Sequence, residues 1–456
     1  MAFPNNLILE LENIVGKDYV LTKREQIEPY LYDETFVATS IKPSANCIVV
    51  KPVTSEQVSK IVKLANEKRI PVYPRGGGTG VVAAAVPTKD GIIISLERMK
   101  NVSIDKDNMM ATVEPGVTLE EFGRIVTSAG FIFPPYPANE QASMGAITVN
   151  NSGGARAVKH GVMRHHVKGL EVVLPTGEIL NLGGKLIKDN VTSSLIQLIV
   201  GSGGILGIVT KTTVKLLPKP EYQLTLLVPF NNRHDAFSAV APILSSGIEP
   251  LSLEYVENKC MDISAKDLGE TWYTDIPGPV LLLIQLAGKK DVVFSEAEKA
   301  SEFCIEHNSL EPRIAEGSEE NRVWKIRKNV LAALKPLSSD VLDVTVPPAQ
   351  MGKLADELDR IASKYNTEIP AYGHAGDGNI HPHILRKDLE NCEKIRNEIY
   401  EATLSLGGVI TGEHGIGKAR VKEFYKFVDP KVIELLAGIK KLFDPNNILN
   451  PTAILG

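Results

Sequence analysis

The sequence has little of several features that mark particular protein classes. Only four cysteines occur among 456 residues and no C-x-x-C pair is present, which argues against a disulfide framework, a zinc ribbon and a cysteine-held iron–sulfur cluster. Fifty basic against 55 acidic residues predict no nucleic-acid partner. The most apolar run, Val280–Leu286, is interrupted by Gln285 and is too short to span a bilayer.

The amino-terminal stretch also lacks the features of a signal peptide. It has no basic segment at its start, and Glu10 and Glu12 interrupt its apolar residues. With 43% hydrophobic and 23% charged residues, the composition excludes a disordered chain. We therefore expect a reduced, soluble, cytoplasmic protein without a transmembrane segment, and its length suggests two or three domains.

Local patterns divide the chain into three stretches. Residues 47–216 alternate β-branched runs, helical periodicity and dense glycine, residues 220–370 lack glycine loops, and residues 371–456 hold most of the candidate chemistry. Capping boxes at Thr54–Gln57 and Thr118–Glu121 predict two helix starts. Periodicity predicts strands at Cys47–Pro52, Ile70–Tyr73, Ile208–Leu217, Gln223–Pro229 and Val280–Gln285, and helices at Phe294–His307 and Val432–Leu442.

A glycine loop, PRGGGTG at 74–80, directly follows a predicted strand. Successive glycines allow consecutive backbone N–H groups to point at one anion. The loop is not a P-loop, because no Gly-Lys-Ser/Thr follows, and its spacing is not that of a Rossmann fingerprint. One such loop alone is more typical of a turn.

Three further small-residue segments change that interpretation. They are Ser143–Gly154, Lys159–Gly161 and Gly201–Gly207, the last lying between a predicted helix and a strand. Four glycine-rich approaches within about 130 residues favour one extended ligand over unrelated turns. A dinucleotide is long enough to contact all four segments, and it therefore fits this pattern better than a mononucleotide does.

Four of the nine histidines fall between residues 374 and 414. His381 and His383 are two residues apart, so a strand would send both to one face. Two neutral imidazoles and one carboxylate suit an open divalent-metal site, and we predict His374, His381 and Glu413 as the ligands. The spacing is not that of an H-E-x-x-H protease. A single histidine is more often structural, but two histidine clusters flanked by glycine favour a metal-binding or catalytic site.

Seven motifs in order resemble those of a known family. PRGGGTG, EPGV (114–117), SMGAITVNNSGG, GSGGILG, HAGDGNIHPH, GEHGIGK and FDPNNILNP are similar to motifs of FAD-linked 2-hydroxyacid dehydrogenases. The match is to glycolate oxidase D-subunit-like proteins and D-lactate or D-2-hydroxyglutarate dehydrogenases of the vanillyl-alcohol-oxidase superfamily. It extends from about residue 40 to residue 452.

The resemblance implies an α+β fold with a two-part FAD-binding domain of the vanillyl-alcohol-oxidase type and an antiparallel-sheet cap domain. The implied FAD-binding domain covers residues 1–219, with a helical lead-in over 1–40. The cap or substrate domain would cover 220–420, and 421–456 would return to the FAD site.

The resemblance also assigns site residues. FAD would be bound non-covalently, since the loop near the flavin has no histidine. A divalent metal would be held by His374, His381 and Glu413, with zinc as the first expectation and iron or manganese as alternatives. His414 would be the catalytic base and Arg327 would bind the substrate carboxylate. The implied FAD contacts are Arg75, Gly76, Gly77, Gly78, Thr79 and Gly80 at the pyrophosphate, Ser143, Gly145, Asn151, Gly154 and Ile208 along the cofactor, and Asn450 near the isoalloxazine.

Some positions depart from the family pattern. Val81–Ala85 replaces the usual Ser-Gly-Gly, and Ala146 follows Gly145 where Gly-Gly is usual. Val341 occupies the position at which 2-hydroxyglutarate enzymes have lysine, which argues against a dicarboxylate substrate. His383 stands where an amide or apolar residue is expected, and it is either a hydrogen-bond donor behind the metal site or a solvated strand residue.

The activity implied by the resemblance is oxidation of a small D-2-hydroxy acid, with D-lactate to pyruvate as the main expectation. Hydride would pass from substrate C2 to flavin N5. Electrons would then pass to electron-transferring flavoprotein or to an iron–sulfur partner subunit. The alternatives are a glycolate oxidase subunit, an oxygen-using flavin alcohol oxidase of the same superfamily, and a metal-dependent hydrolase or binding protein without flavin.

Overall fold

The computed structural model describes residues 3–39 and 41–455. Helices and strands alternate along the chain, in agreement with the predicted α+β class. The α-helices are α1 (Asn5–Val15), α2 (Arg24–Ile27), α3 (Ser55–Lys68), α4 (Leu119–Ser128), α5 (Met144–Asn150), α6 (Ala157–His160), α7 (Met163–His166), α8 (Ser193–Ile199), α9 (Arg233–Ser245), α10 (Asn258–Asp267), α11 (Lys290–Glu306), α12 (Ser318–Leu334), α13 (Met351–Lys364), α14 (Cys392–Ser405), α15 (Val421–Phe427) and α16 (Pro430–Phe443).

The strands form four sheets. They are β1 (Val20–Leu21), β2 (Cys47–Val50), β3 (Val72–Arg75), β4 (Gly91–Ser95), β5 (Val102–Asp105), β6 (Met110–Val113), β7 (Phe131–Ile132), β8 (Val167–Val173), β9 (Ile179–Gly183), β10 (Ile208–Lys215), β11 (Leu217–Pro218), β12 (Tyr222–Phe230), β13 (Ser252–Glu257), β14 (Val280–Gly288), β15 (Arg313–Ala315), β16 (Ser338–Val341), β17 (Val344–Thr345), β18 (Ala371–His374) and β19 (Asn379–Leu385).

The predicted elements are present with modest changes in their bounds. Thr54 and Thr118 cap α3 and α4, and only the second forms the complete reciprocal capping box. The helix predicted from Phe294 begins four residues earlier, at Lys290. Within the stretch of small residues at 143–154, the chain forms α5, which the sequence reading did not predict. Its N-cap is Ser143, whose hydroxyl accepts the Ala146 N–H at 3.5 Å.

The amino-terminal half contains two sheets that frame the glycine segments. The four-stranded sheet has the order β1-β2-β4-β3, with β2, β4 and β3 parallel. The five-stranded sheet has the order β5-β6-β10-β8-β9, and its strand pairs are antiparallel. The PRGGGTG loop leaves the carboxyl end of β3, where ligands of parallel sheets commonly bind.

The carboxyl-terminal half is organised by an eight-stranded antiparallel sheet. Its order is β15-β12-β14-β13-β18-β19-β16, with β17 also paired to β19. Successive residues of β14 alternate between two cores: Leu282 and Ile284 pack with α9 and α13, whereas Leu281 and Leu283 pack with α10 and α12. Burial on both faces explains why β14 is almost continuously apolar.

The end of the chain returns to the amino-terminal sheet. Val72 donates its N–H to the Ile448 carbonyl, and Asn450 donates its N–H to the Val72 carbonyl, both at 2.7 Å. Through these bonds, residues 448–450 pair with β3, and Asn450 lies next to the PRGGGTG loop. Within residues 3–39 and 41–455, no helix combines the length and hydrophobicity needed to cross a lipid bilayer.

A buried ion cluster joins the eight-stranded sheet to the helices behind it. Asp340 on β16 is 1% exposed and accepts hydrogen bonds from Arg420 at 2.5 and 3.0 Å and from Arg396 at 2.6 Å. Arg396 Nε also lies 2.9 Å from Glu423. Burial would raise the pKa of Asp340, but the two guanidinium groups outweigh it and hold that pKa below its usual range.

We predict that Arg420→Met lowers the free energy of unfolding by about 3–5 kcal/mol, because it leaves a buried carboxylate with Arg396 as its one charged partner. The control Arg360→Met, in an exposed pair with Glu357, should cost less than about 1 kcal/mol. Guanidinium chloride unfolding at pH 7 measures both changes.

The loss of stability caused by Arg420→Met should depend on pH. Because the folded pKa of Asp340 is depressed, its stabilisation is present above the unfolded value of about 3.9 and is lost as pH falls through the folded value. The difference between wild type and Arg420→Met should therefore shrink below about pH 4. A difference that stays constant through this range would contradict the assignment.

Candidate active site

A cavity lies between the two amino-terminal sheets and the eight-stranded sheet. One part of it is lined by the glycine segments, and the other part is lined by the histidine cluster and α12. It therefore joins the two sets of residues that the sequence singled out separately. The side chains at its chemical end are Arg327, Leu331, Tyr372, His374, His381, Glu413 and His414.

The PRGGGTG loop presents its backbone to the cavity. Among the described residues, the N–H groups of residues 76–80 donate to no protein acceptor, so they are free to bind an anion. A Cβ at Gly76 would collide with Ser143 Oγ, and one at Gly77 would lie 2.7 Å from the Gln141 carbonyl. Free N–H groups on a loop that has no room for side chains at Gly76 and Gly77 match the requirements of a pyrophosphate group.

The structure gathers most of the predicted FAD-contact residues around this cavity. Gly77, Asn151 and Gly154 are not among its lining residues. Asn151 instead ends α5 and accepts the Arg164 N–H at 2.9 Å, and Gly154 donates its N–H to Glu413 Oε2 at 3.1 Å. The predicted residues that do line the cavity are Arg75, Gly76, Gly78, Thr79, Gly80, Ser143, Gly145, Ile208 and Asn450.

The hairpin β18–β19 presents two of the predicted metal ligands. Its register opposes Tyr372 to His381 and His374 to Asn379. Because side chains two residues apart share a strand face, Tyr372, His374, His381 and His383 all lie on one side of the hairpin. This arrangement agrees with the sequence expectation that His381 and His383 share a face.

Glu413 lies at the centre of the histidine cluster. Its Oε1 atom is 3.3 Å from His374 Nε2, 3.5 Å from His381 Nε2 and 3.9 Å from His414 Nε2. The rings of His381 and His414 stack with centroids 5.0 Å apart. Imidazole and carboxylate groups are the donor types of a divalent-metal site, and here the three imidazoles surround one carboxylate oxygen.

Asp343 also lies within the cluster, with ligand atoms of Asp343, His381, Glu413 and His414 all within 4.8 Å of one another. Its Oδ2 atom accepts the backbone N–H groups of Gly412, Glu413 and His414 at 2.7–2.9 Å. Its Oδ1 atom accepts the Asn379 amide at 2.8 Å. These bonds occupy its oxygens, so Asp343 orients the loop. The predicted ligand His374 is not in this four-residue group, and its Nε2 atom instead faces Glu413 Oε1 at 3.3 Å.

Glu254 links the metal-ligand candidates to Arg327. It is 1% exposed, its Oε1 atom lies 2.7 Å from His374 Nδ1, and its Oε2 atom accepts from Arg327 Nη2 at 2.5 Å. A carboxylate on one imidazole nitrogen fixes the orientation of the ring and would direct the other nitrogen toward a bound metal. The sequence did not indicate Glu254, because nothing in the strand SLEYVE distinguishes it from an ordinary strand carboxylate.

The charges of the cluster depend on one another. Burial lowers the pKa of His374, but Glu254 and Glu413 outweigh it and raise that pKa well above its usual value. Burial raises the pKa of Glu413, but His374 and the neighbouring imidazoles bring it below its usual range. Burial, reinforced by His414, lowers the pKa of His381 to about 3. His381 is therefore a neutral ligand candidate.

Two buried nitrogens lack protein partners at this site. Among the described residues, His381 Nδ1 has no hydrogen-bond partner and lies 3.7 Å from Asp343 Oδ1. Arg327 Nε is likewise buried and unpartnered. The guanidinium carbon of Arg327 lies 4.8 Å from the ring centre of Tyr372. Arg327 thus keeps unused hydrogen-bonding capacity at the cavity wall.

His383 lies behind the cluster. It is fully buried, and its Nδ1 atom lies 2.8 Å from Ser338 Oγ. Its ring is 5.4 Å from that of Tyr372. The alternative of a solvated strand residue is therefore wrong. His383 lies on β19 opposite Val341 of β16 and is not among the residues that line the cavity.

An apolar wall borders the chemical end of the cavity. Leu331 follows Arg327 by one helical turn on α12, so both side chains reach the same cavity. Leu331 packs against a cluster that contains Phe36, Val81 and Val341. Val341, the position that departs from the 2-hydroxyglutarate pattern, therefore belongs to an apolar surface near the site.

Comparisons with known proteins identify the family of this chain. Residues 47–183 match the family described as "FAD binding domain", and residues 219–454 match "FAD linked oxidases, C-terminal domain". D-lactate dehydrogenase of Archaeoglobus fulgidus is 39% identical over 94% of this chain and 96% of that protein. Glycolate oxidase subunit GlcD of Bacillus subtilis is 37% identical, covering 92% of this chain and 91% of that subunit.

The fold is similar to that of solved flavoenzymes. A crystal structure of p-cresol methylhydroxylase matches 99% of this chain and 96% of its own with a TM-score of 0.79 at 18% identity. An alkyldihydroxyacetonephosphate synthase structure matches 98% of this chain and 86% of its own with a TM-score of 0.75 at 20% identity. Together with the family matches, these likenesses confirm the predicted vanillyl-alcohol-oxidase fold. The chain belongs to the FAD-linked oxidase family that includes D-lactate dehydrogenases and GlcD glycolate oxidase subunits.

Proposed function

We propose that this FAD-linked oxidoreductase is a metal-dependent D-2-hydroxyacid dehydrogenase that oxidises D-lactate to pyruvate. One observation carries the proposal: His374, His381, Glu413 and His414 converge within the same cavity as Arg327 and the glycine loops. D-lactate dehydrogenases among its relatives, including one from Anaerostipes hadrus that is 32% identical, support this substrate.

The proposed reaction assigns separate roles to the cofactor, the metal ligands and the base. Non-covalently bound FAD supplies a hydride acceptor, and a divalent metal, zinc first with iron or manganese as alternatives, supplies a Lewis acid that makes the substrate hydroxyl more acidic. His374, His381 and Glu413 hold the metal. His414 accepts the hydroxyl proton at Nε2, the nitrogen that faces Glu413.

Arg327 orients the substrate in this proposal. Its guanidinium pairs with the substrate carboxylate as a charge-assisted hydrogen bond. Glu254 accepts a hydrogen bond from Arg327 Nη2 at 2.5 Å, and its other oxygen lies 2.7 Å from His374 Nδ1. Because one carboxylate fixes both side chains, the carboxylate-binding group and the metal ligand keep a constant spacing, which a substrate that contacts both would require.

The apolar wall supports a short, uncharged side chain on the substrate. Leu331 and Val81 line the cavity beside Arg327, and they offer no partner for a second carboxylate. A methyl group would bury favourably there, whereas an unpaired charge would be strongly disfavoured. This reasoning favours lactate over 2-hydroxyglutarate.

A glycolate oxidase subunit is the second candidate function. Its support is the 37% identity to the GlcD subunit of Bacillus subtilis. Glycolate would use the same metal ligands, base and arginine but would lack the methyl group. One methyl group in an apolar site typically changes specificity by about 10–200-fold, so relative kcat/KM values for D-lactate and glycolate separate the two functions.

For the electron acceptor we propose a protein partner, electron-transferring flavoprotein first and an iron–sulfur subunit second. The sequence contains no nicotinamide fingerprint or cysteine cluster of its own. Co-purification of a redox partner that accepts electrons during D-lactate oxidation would support this. Full turnover with free NAD alone, or rapid turnover with oxygen as in an alcohol oxidase, would contradict it.

We expect metal removal and His374→Ala to slow reduction of bound FAD by D-lactate at least about 100-fold, since the first removes the proposed metal and the second removes one of its proposed ligands. Anaerobic stopped-flow absorbance of the flavin measures the rate, and elemental analysis measures the metal. The control His234→Ala changes an exposed histidine on α9 paired with Asp356 and should leave both unchanged.

The opposite result would identify a different enzyme. Flavin reduction that survives chelation and His374→Ala would remove the metal from the mechanism. That outcome would favour the oxygen-using alcohol oxidase alternative.

We predict that wild-type protein prefers D-lactate over D-2-hydroxyglutarate by at least about 100-fold in kcat/KM, because a second carboxylate against Leu331 and Val81 would have no partner there. Leu331→Arg should reduce this preference at least tenfold by supplying a partner. The exposed Leu337→Arg is the matched control and should not alter it. Equal kcat/KM values in the wild type would contradict the role of the apolar wall.

We predict that Gly76→Ala lowers the FAD content of the purified protein, because its Cβ would collide with Ser143 at the wall of the cavity. Gly123→Ala, which meets no atom within 4 Å on α4, should retain FAD. Flavin absorbance per polypeptide measures the content. Full FAD content in Gly76→Ala would show that the loop does not approach the cofactor closely.

A further inference from the structure

A buried lysine lies behind the cavity wall and takes no part in the proposed chemistry. Lys418, the last residue of GEHGIGK, is 9% exposed. Its Nζ atom lies 2.6 Å from Asn450 Oδ1, 2.8 Å from the Ala84 carbonyl and 3.3 Å from the Ala83 carbonyl. Three oxygen acceptors match the three donors of a protonated ammonium group, and none of them could donate to a neutral amine as a hydroxyl would.

This ammonium group has no carboxylate partner. Within the part of the chain that the structure describes, no Asp or Glu oxygen lies within 4 Å of Lys418 Nζ. By contrast, buried Lys440 pairs with Asp444 at 2.5 Å. Burial lowers the pKa of Lys418 to about 7, and only the more distant Asp33 opposes that shift. The charge is therefore held by dipoles, and a nearby anion would stabilise it further.

The contacts of Lys418 connect it to the cofactor part of the cavity. Asn450 and Ala84 both line the cavity, so the ammonium group is one hydrogen bond away from that surface. The backbone N–H of Lys418 also donates to the Val82 carbonyl at 2.9 Å. Lys418 thus joins the GEHGIGK loop, the 82–84 segment and the carboxyl-terminal segment at one point.

We propose that Lys418 is a positioning residue that raises the reduction potential of bound FAD. Oxidation of a 2-hydroxy acid to a 2-keto acid releases one proton from the hydroxyl and one hydride, with two electrons, from C2. The hydride gives reduced FAD one more negative charge than oxidised FAD. A buried, unpaired cation stabilises the charged form more than the neutral form.

The test compares Lys418→Met with Lys418→Arg. Potentials are measured by equilibrating the FAD-loaded protein with a reference dye under chemical reduction, without any 2-hydroxy acid, so that the result does not depend on the proposed substrate. We expect Lys418→Met to lower the equilibrium constant for two-electron reduction at least tenfold, equivalent to about 30 mV. Lys418→Arg should stay within threefold of wild type.

Controls separate the charge from other effects. Lys426→Met removes an exposed lysine paired with Glu401 and should leave the potential unchanged. Should Lys418→Met lose FAD, Lys418→Gln replaces it, since glutamine donates to the same acceptors without charge and should shift the potential in the same direction. An unchanged potential in either neutral variant that holds FAD would overturn the proposal. Loss of FAD from both, with retention in Lys418→Arg, would also overturn it by assigning the charge to cofactor binding.

Discussion

The site depends on one buried carboxylate, Asp343, and on the three consecutive backbone N–H groups that it binds. This contact fixes the segment 412–414 against the eight-stranded sheet, and that segment carries both Glu413 and His414. Charge-assisted hydrogen bonds to backbone amides are stronger than neutral ones and hold the loop in one conformation. Without this constraint, the carboxylate proposed as a metal ligand and the proposed base would have no fixed relation to the hairpin histidines.

Around Asp343, buried charges are arranged as a connected set. Glu254 joins Arg327 to His374, and Glu413 faces His374 and His381. Such networks require that every member have a partner, because an unpaired buried charge is costly. This condition is met because residues from β13, β18, β19 and α12 lie together on one side of the sheet. The rigidity that results suits the proposed reaction, in which the site would hold the carboxylate and the hydroxyl of one small substrate together.

The cofactor part and the chemical part of the cavity differ in how they are built. The cofactor part relies on backbone N–H groups of the PRGGGTG loop, on close packing at Gly76 and Gly77, and on the returning Asn450. The chemical part relies on side chains from distant segments. This difference explains why the glycine loops and the histidine motifs were both recognisable in the sequence, whereas the residues that connect them were not.

The sequence by itself determined the α+β class, the approximate strands and caps, the glycine loops and the histidine motifs, because each depends on neighbours within a few residues. It also indicated the family through seven ordered motifs. Only the tertiary structure decided the roles of Glu254, Asp343 and Lys418 and the burial of His383. The hydrogen-bond partners of their side chains are 32 to 335 residues away in the chain, and such long-range contacts leave no local periodicity in the sequence.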